Sequence, residues 1–304
     1  MAGFYDVIVI GGGPAGLSAA IYCRRKLLKT LVITMDIGGQ VLVTGEIENY
    51  LGYLGRSGIE LAGYFEQQAK HFETEIMLDE VQKVEKDDSF FKITATGGEY
   101  SAKAVIITGG SLHKKLNIPG EAEFLGKGVS VCATCDAPFA RDRDVAVVGG
   151  GNTAVQSAEL LAKYAKKVYM IHRRETFRAD EILLERAKKR PNIEMMLNTE
   201  VTEIKGGKRV EGIVVKDAAT VKSREIKVEM IFIEIGKTMK LDYAKRLVET
   251  NRAGQIIVDR DQRTSCRGIF AAGDITDRKY GQAIIAAGDG AAAALSAYDY
   301  LKEV

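Results

Sequence analysis

Two segments of the chain repeat one pattern, in which an apolar strand runs into a glycine-rich turn and then a helix of small residues. The first reads DVIVIGGGPAGLSAA from Asp6 and the second reads DVAVVGGGNTAVQSAE from Asp144, an offset of 138 residues. The apolar runs at residues 7–10 and 145–148 are typical of buried parallel strands. A strand, a glycine turn and a helix in this order bind the phosphates of a dinucleotide. The repeat therefore predicts an α/β chain with two Rossmann-like dinucleotide-binding domains.

The glycines of the first turn have separate predicted roles. Gly11 permits the tight turn, Gly13 lets backbone N–H groups approach a pyrophosphate, and Gly16 lets the helix pack closely on the strand. The corresponding residues of the second unit are Gly149, Gly151 and Ala154. Bound phosphates would then lie at a helix N-terminus, where unpaired N–H groups and the helix dipole favour anions.

A basic cluster follows the second strand of the second unit. This strand, KKVYMI, ends in His172, Arg173 and Arg174, followed by Arg178, where an acid that binds ribose hydroxyls is usual. Guanidinium groups pair phosphate oxygens bidentately, so the cluster fits the 2′-phosphate of NADP(H) better than the ribose of NAD(H). The alternative is a solvated basic helix start.

The first unit lacks a strand-end acid at the same offset. Thr34 stands there, and Asp36 follows two residues later. The turn at residues 38–40, GGQ, is predicted to line a flat ring system. Near the C-terminus, Asp274 follows an apolar strand at residues 269–272 and precedes a small-residue helix at residues 282–297. An acid there is predicted to bind a polyol hydroxyl, and the alternative is an ordinary helix cap.

The segment VCATCDAPFA contains a pair of cysteines, Cys132 and Cys135, followed by Asp136. Such a pair is half of a zinc site, a structural disulfide or a redox-active dithiol. A structural zinc site needs four ligands, but the remaining cysteines, Cys23 and Cys266, are far apart and no histidine pair has ligand spacing. No metal is therefore predicted. A reducing compartment works against a permanent disulfide, which favours the redox-active dithiol.

Length and charge narrow the function further. The chain has 304 residues, enough for two domains, and its net charge of +2 provides no overall attraction to nucleic acid or anionic membranes. The N-terminus lacks the features of a signal peptide, and no apolar run approaches the roughly 18 residues of a membrane span. We expect a soluble, cytoplasmic protein with no nucleic-acid or membrane partner.

The motifs together resemble a known family along almost the whole chain. They are GGGPAG at 11–16, GGQ at 38–40, ENYLGY at 48–53, CATCD at 132–136, GGGNTA at 149–154, HRRETFR at 172–178 and AAGD at 271–274 followed by Gln282. In this order they are similar to the low-molecular-weight thioredoxin reductases, which are FAD-dependent pyridine nucleotide-disulfide oxidoreductases. The resemblance implies hydride transfer from NADPH to FAD, reduction of the Cys132–Cys135 disulfide, and exchange with thioredoxin or a glutaredoxin-like dithiol protein.

The resemblance also assigns domains and residues. It implies an FAD domain at residues 1–115 and 243–304, and an inserted NADPH domain at residues 116–242 that carries the cysteines. The implied FAD contacts are Gly11, Gly13, Pro14, Ala15, Gly16, Gly39, Gln40, Asn49, Gly273, Asp274, Gln282 and Ala283. The implied NADPH contacts are Gly151, Asn152, Thr153, His172, Arg173, Arg174 and Arg178. Cys135 would face the flavin, Cys132 would attack the partner's disulfide, and Asp136 would act as general acid or base. The family is homodimeric, so a homodimer is implied.

Two departures from the family pattern concern the nicotinamide nucleotide. Gln156 replaces a common glutamate, and Gly281 replaces the basic residue that often precedes the glutamine. Two alternatives remain: the same flavin and dithiol chemistry with another electron donor such as ferredoxin, or a non-catalytic nucleotide-binding redox sensor.

Overall fold

The computed structural model describes residues 3–44, 46–54, 56–218 and 220–304. Its elements are numbered here in chain order. The strands are β1 (Phe4–Ile10), β2 (Thr30–Thr34), β3 (Glu46–Ile47), β4 (Arg56–Ser57), β5 (Glu75–Leu78), β6 (Val81–Lys86), β7 (Phe91–Ala95), β8 (Gly98–Ile107), β9 (Leu112–His113), β10 (Val129–Ser130), β11 (Asp144–Val148), β12 (Lys167–Ile171), β13 (Ile193–Met196), β14 (Thr199–Gly206), β15 (Val210–Asp217), β16 (Ser223–Ile226), β17 (Met230–Ile233), β18 (Lys237–Thr238) and β19 (Ile269–Ala271). The α-helices are α1 (Pro14–Arg25), α2 (Gly58–His71), α3 (Ala133–Asp136), α4 (Asn152–Leu161), α5 (Glu181–Lys188) and α6 (Ala283–Leu301).

The chain divides into two compact units. Unit 1 consists of residues 1–112 and 238–304, and unit 2 consists of residues 113–237. The chain passes from one unit to the other after residue 112 and returns after residue 237. The sequence predicted these two boundaries after residues 115 and 242. Unit 2 is thus continuous in sequence, and unit 1 is built from two separate segments.

Unit 1 contains a seven-stranded sheet. The strand order is β5-β2-β1-β8-β7-β6, and β19 also pairs with β8. The strands β5, β2, β1, β8 and β19 run parallel, while β6 and β7 are antiparallel additions. Residues 7–10 of β1 and all of β2 are buried, as expected for apolar parallel strands that are covered on both faces.

Two small-residue helices, α1 and α6, pack on one face of this sheet. Ala19 of α1 and Ala293 of α6 are fully buried in one core cluster with Val7 and Val9 of β1. A Cβ atom at Gly290 would overlap the carbonyl oxygen of Ala15, so the two helix backbones approach each other closely. This contact joins the N-terminal segment of unit 1 to its C-terminal segment.

Unit 2 is built on a parallel sheet. Its five strands follow the order β10-β17-β11-β12-β13, and all four pairings are parallel. A separate antiparallel sheet has the order β14-β15-β16. Because parallel strands end at one edge, the segments that follow β10, β17, β11 and β12 meet there, and such edges are where α/β proteins bind ligands.

Candidate active site

Cys132 and Cys135 form a disulfide at the carboxyl edge of the parallel sheet in unit 2. Their Cα atoms lie 5.4 Å apart. The Cys132 N–H donates to Ser130 Oγ at 3.1 Å, where β10 ends, and the Cys135 N–H donates to Cys132 Sγ at 3.2 Å in the first turn of α3. Both cysteines are half-buried. A disulfide at a sheet edge, outside the apolar core, is placed for thiol–disulfide exchange.

Asp136 is the last residue of α3 and directly follows Cys135. It precedes a 3-10 helix at Ala137–Ala140, but its side chain makes no capping hydrogen bond to that helix. The carboxyl is half-buried. The Asp136 side chain therefore does not cap the following 3-10 helix, and the acid lies beside the cysteine pair in the sequence.

A second carboxyl group at this edge, Glu234, is absent from the sequence prediction. Glu234 follows β17, and its Oε1 accepts a hydrogen bond of 3.0 Å from Ser157 Oγ on α4. The backbone N–H of Ala133, the residue after Cys132, also donates to this carboxyl. Burial raises the pKa of Glu234, and the two hydrogen bonds oppose that rise. The signal was present in the sequence, because Glu234 interrupts the apolar run MIFIEIG.

The remaining cysteines belong to unit 1. Cys23 is fully buried, and burial raises its pKa to about 12, so it is a core thiol. Cys266 is half-buried. In the part of the chain that the structure describes, no three or more His, Cys, Asp or Glu side chains are grouped to hold a metal ion.

The first glycine turn leaves the N-terminus of α1 open. Gly11 has a φ of +115°, and a Cβ atom there would lie 2.5 Å from the Thr108 carbonyl oxygen. Gly13 is the N-cap of α1, where no side chain caps the helix, and a Cβ at Gly13 would meet only the Gly38 oxygen at 4.0 Å. Pro14 occupies the first turn of the helix. The free N–H groups and the space beside Gly13 fit a phosphate.

Several predicted flavin-contacting residues converge on the carboxyl edge of the sheet in unit 1. Asn49 Nδ2 donates to Gln282 Oε1 at 3.1 Å, although the two residues lie 233 positions apart. Gln40 Nε2 donates to the Ser111 carbonyl oxygen at 2.7 Å, and Ser111 Oγ donates to Asp274 Oδ2 at 3.3 Å. The remaining predicted residues of this set lie in the same turns and helix starts: Ala15 and Gly16 in α1, Gly39 before Gln40, Gly273 before Asp274, and Ala283 at the start of α6.

Asp274 is not the cap of α6, since the N-cap of that helix is Gln282. Asp36, the acid that follows β2, makes its hydrogen bonds within its own turn. Its Oδ1 accepts from the Gly39 N–H at 2.7 Å, and its carbonyl oxygen accepts from Thr34 Oγ1 at 2.6 Å. Asp36 thus holds the turn at residues 36–39. This gives a structural role to the acid that lies two residues beyond the end of β2.

The second glycine turn has the same open form. Gly151 is the N-cap of α4, with no side-chain cap, and a Cβ atom there would meet nothing within 4 Å. Thr153 lies exposed in the first turn of α4. Asn152 is paired instead with Asp180, since Asn152 Nδ2 donates to Asp180 Oδ2 at 2.9 Å and the Asp180 N–H donates to Asn152 Oδ1 at 2.8 Å.

The basic cluster divides into a buried histidine and exposed arginines. His172 is 6% exposed, and its ring stacks on Phe177 with centroids 5.3 Å apart. Burial lowers the pKa of His172, and the neighbouring arginines lower it further. Arg173, Arg174 and Arg178 are exposed at the same sheet edge. The three guanidinium groups are therefore available to an anion, whereas the His172 ring is buried.

Comparison with known proteins identifies the family. A family model described as pyridine nucleotide-disulphide oxidoreductase matches residues 5–290. The thioredoxin reductase of Treponema pallidum (strain Nichols) is 43% identical over 299 residues, which are 98% of this chain and 97% of that protein. The chain belongs to the low-molecular-weight thioredoxin reductases. The solved thioredoxin reductase of Streptococcus pyogenes MGAS5005 shares the fold with a TM-score of 0.96, at 37% identity and over 100% of both chains.

A relative of another name matches over only part of its length. A protein of Bacillus subtilis (strain 168) named NADH dehydrogenase is 40% identical over 298 residues, which are 98% of this chain but only 58% of that protein. The two thioredoxin reductases match over nearly their whole length.

Family membership confirms the predicted fold class and chemistry. The chain is an oxidoreductase of the FAD- and NADPH-dependent thioredoxin-disulfide reductase class, and the Cys132–Cys135 disulfide fits the redox-active disulfide of that class. The open N-termini of α1 and α4 fit the phosphates of the two dinucleotides. Neither alternative from the sequence, another electron donor or a non-catalytic sensor, is favoured. None of the helices in the described ranges is long and apolar enough to cross a membrane.

Proposed function

We propose that the chain reduces the disulfide of thioredoxin, or of a similar small dithiol protein, through Cys132 and Cys135. The observation that carries this proposal lies within unit 2. The disulfide follows β10, and the open glycine turn and the exposed arginines follow β11 and β12 at the same edge of one sheet. NADPH and FAD, when bound, supply the two-electron reduction of the disulfide.

In this proposal unit 1 binds FAD and unit 2 binds NADPH. The open N-terminus of α1 would hold the flavin pyrophosphate, and the turns that carry Gln40, Asn49 and Asp274 would orient the rest of that cofactor. The open N-terminus of α4 would hold the pyrophosphate of NADPH beside Thr153. In both units the chain's contribution is a set of preformed N–H donors at a sheet edge.

The two cysteines would divide the exchange reaction between them. In the reduced enzyme the Cys132 thiolate attacks one sulfur of the partner's disulfide, which forms a mixed disulfide and releases the other partner sulfur as a thiol. Cys135 then attacks Cys132, which restores the Cys132–Cys135 disulfide and releases the reduced partner. Asp136 would accept and return the thiol protons in these steps. Cys135 is assigned to the flavin side and Cys132 to the partner side.

The arginines would distinguish NADPH from NADH. Arg173, Arg174 and Arg178 are exposed after β12, where the adenosine ribose of a dinucleotide is expected. Planar guanidinium groups pair a 2′-phosphate bidentately and gain nothing from a 2′-hydroxyl. A preference for NADPH follows, even with Gln156 and Gly281 at the two departing positions.

We also propose a cytoplasmic homodimer as the working form. Both statements follow from the family, and sedimentation of the purified chain tests the second. The physiological partner is expected to be a cytoplasmic thioredoxin or glutaredoxin-like protein.

Anaerobic stopped-flow absorbance of the FAD-loaded chain tests the proposal directly. NADPH should bleach the flavin at least about tenfold faster than NADH at subsaturating concentration, as expected for a charge-assisted contact to the 2′-phosphate. Oxidised thioredoxin should then restore the flavin colour. Cys132→Ser and Cys135→Ser should each abolish turnover of thioredoxin, while the matched variant Cys266→Ser should retain it. Turnover of thioredoxin by either active-site variant would contradict the proposal.

A further inference from the structure

Glu234 directly follows β17, the strand that pairs with the one before the cysteine segment. Strands β10 and β17 are parallel, with Val129 opposite Ile231 and Ser130 opposite Phe232. The ladder ends at these pairs, and Cys132 and Glu234 each lie two residues beyond its last pair, so both follow the sheet at the same edge.

The Glu234 side chain is also tied to the turn between the cysteines. Its carboxyl accepts from the N–H of Ala133, which directly follows Cys132, and from Ser157 Oγ at 3.0 Å. Ser157 is 7% exposed and lies on α4, in the same helix as the open glycine N-cap. The carboxyl therefore bridges the first turn of the dithiol helix α3 to the helix α4.

The charge of this carboxyl is set by opposing effects. Burial raises the pKa of Glu234, whereas the hydrogen bonds from Ser157 and Ala133 and the attraction of Lys237 favour the ionised form. Other charged or titratable residues that follow these strands are Asp136 at the end of α3, His172 at the end of β12, and the exposed Arg173, Arg174 and Arg178 after it. Burial lowers the pKa of His172, so its ring is neutral at pH 7 and provides no counter-charge.

We propose that Glu234 is a positioning residue that controls how readily the reduced Cys132–Cys135 pair forms a thiolate. When it is ionised, the Glu234 carboxylate, hydrogen-bonded to the turn between the cysteines, disfavours a second negative charge on the pair and so holds the thiol pKa up. A less stabilised thiolate also makes the reduced pair a stronger reductant, because thiolate stabilisation is what makes a dithiol couple oxidising. The hydrogen bond to Ala133 fixes the turn on which both sulfurs are carried. The inference rests on the proposed redox role of the two cysteines.

The test measures thiol acidity in the full-length, FAD-loaded chain. The protein is reduced anaerobically, and the rate of iodoacetamide alkylation of Cys132 and Cys135 is followed by peptide mass spectrometry from pH 5.5 to 9.5. Glu234→Gln removes the charge and keeps an acceptor for Ala133. At pH 7 it should raise the alkylation rate of the more reactive cysteine about three- to tenfold, the equivalent of half to one pKa unit. The disulfide midpoint in a glutathione buffer should become more positive.

Two further variants complete the design. Glu211→Gln removes an exposed carboxylate of β15 in the same unit and should leave the alkylation profile unchanged. Ser157→Ala keeps Glu234 but removes one hydrogen bond to its ionised form, so it should shift the profile in the same direction by a smaller factor. If Glu234→Gln does not fold, the Ser157→Ala profile decides alone.

The outcomes separate this inference from the proposed function. If Ser157→Ala and any folded Glu234→Gln protein match the parent's alkylation profile, the inference is wrong, although thioredoxin turnover would still depend on both cysteines. If Cys132→Ser or Cys135→Ser turns over thioredoxin, the proposed function fails first. A shifted alkylation profile together with an unchanged profile for Glu211→Gln supports the inference.

Discussion

The His172 side chain packs against the second glycine turn. A Cβ atom at Gly150 would collide with the imidazole ring of His172, and the Phe177 ring stacks on the same imidazole. Among the described residues, no hydrogen-bond partner faces its Nε2. The sequence predicts contact between His172 and NADPH, and that contact stays a prediction. The structure adds that the ring fills the space beneath the second glycine turn.

Burial of a neutral His172 should make folding stability depend on pH. Because burial and the nearby arginines lower the folded-state pKa below 6.5, the unfolded chain binds the proton more readily. The contribution of His172 is complete above about pH 6.5 and is lost as the pH falls from there toward the folded-state pKa. Urea unfolding at pH 7.5 and pH 5.5 should therefore show a smaller loss of stability on acidification for His172→Gln than for the parent.

The exposed His71 on α2 provides the control. His71→Gln removes one histidine without touching the second glycine turn, so its loss of stability between the two pH values should equal that of the parent. An equal effect of acid on the parent and on His172→Gln would show that His172 does not contribute to the pH dependence.

At the scale of elements, α6 carries within its small-residue sequence a buried aspartate that is paired with a partly exposed arginine. Asp289 is 6% exposed, and its Oδ1 lies 2.9 Å from Arg278 Nη2. Burial raises the pKa of Asp289, and the guanidinium of Arg278 opposes this rise. The pair lies beside Gly273 and Asp274, since the Gly273 N–H donates to Asp289. The ion pair therefore supports the turn that is proposed to orient FAD.

Removing the arginine should cost more in the parent than in a chain whose acid is already neutral. Arg278→Met leaves a buried carboxylate without its cation, and a loss of about 1–3 kcal/mol is expected because the guanidinium is partly exposed. In the Asp289→Asn background the same change should cost less than about 0.5 kcal/mol. Urea unfolding of the flavin-free chain measures both, and Arg263→Met, in an exposed pair with Asp261, is the control. Equal losses in the two backgrounds would show that the ion pair adds no coupling.

The regular elements were predictable because their signals are local. The predicted strands at residues 145–148 and 269–272 correspond to β11 and β19, and the predicted helix at residues 282–297 corresponds to α6. Continuous runs of Val and Ile mark buried parallel strands, and small residues after a glycine turn mark the helix that packs on them. Each of these patterns can be read from one continuous segment of the chain.

The parts of the site that were missed depend on contacts between distant segments. Glu234 meets Ala133 only because β17 pairs with β10, and no local pattern encodes that register. The position of Asp289 depends on Arg278, which reaches it from the loop before α6. The general signal was a charged residue in an apolar or small-residue run, which is costly unless a partner is present.

At the scale of the molecule, unit 1 is held together by contacts between its two chain segments. The C-terminal segment adds β19 beside β8, and α6 packs along α1. Unit 2 is a single continuous segment with its own sheets and core clusters. A change at the α1–α6 contact should therefore weaken unit 1 selectively.

Gly290→Val tests this division. At Gly290 even a Cβ atom would overlap the carbonyl oxygen of Ala15, so valine must force α6 away from α1, at an expected cost of about 1–3 kcal/mol or more. Gly288→Val makes the same change two residues earlier, where a Cβ meets nothing within 4 Å, so that variant bears only the smaller propensity difference. Hydrogen exchange followed by mass spectrometry should show lost protection in α1, α6 and β19 for Gly290→Val, with β11, β12 and β17 protected as in the parent. Loss of protection in both units together would mean that they unfold as one cooperative body, and the selective effect on unit 1 would then be wrong.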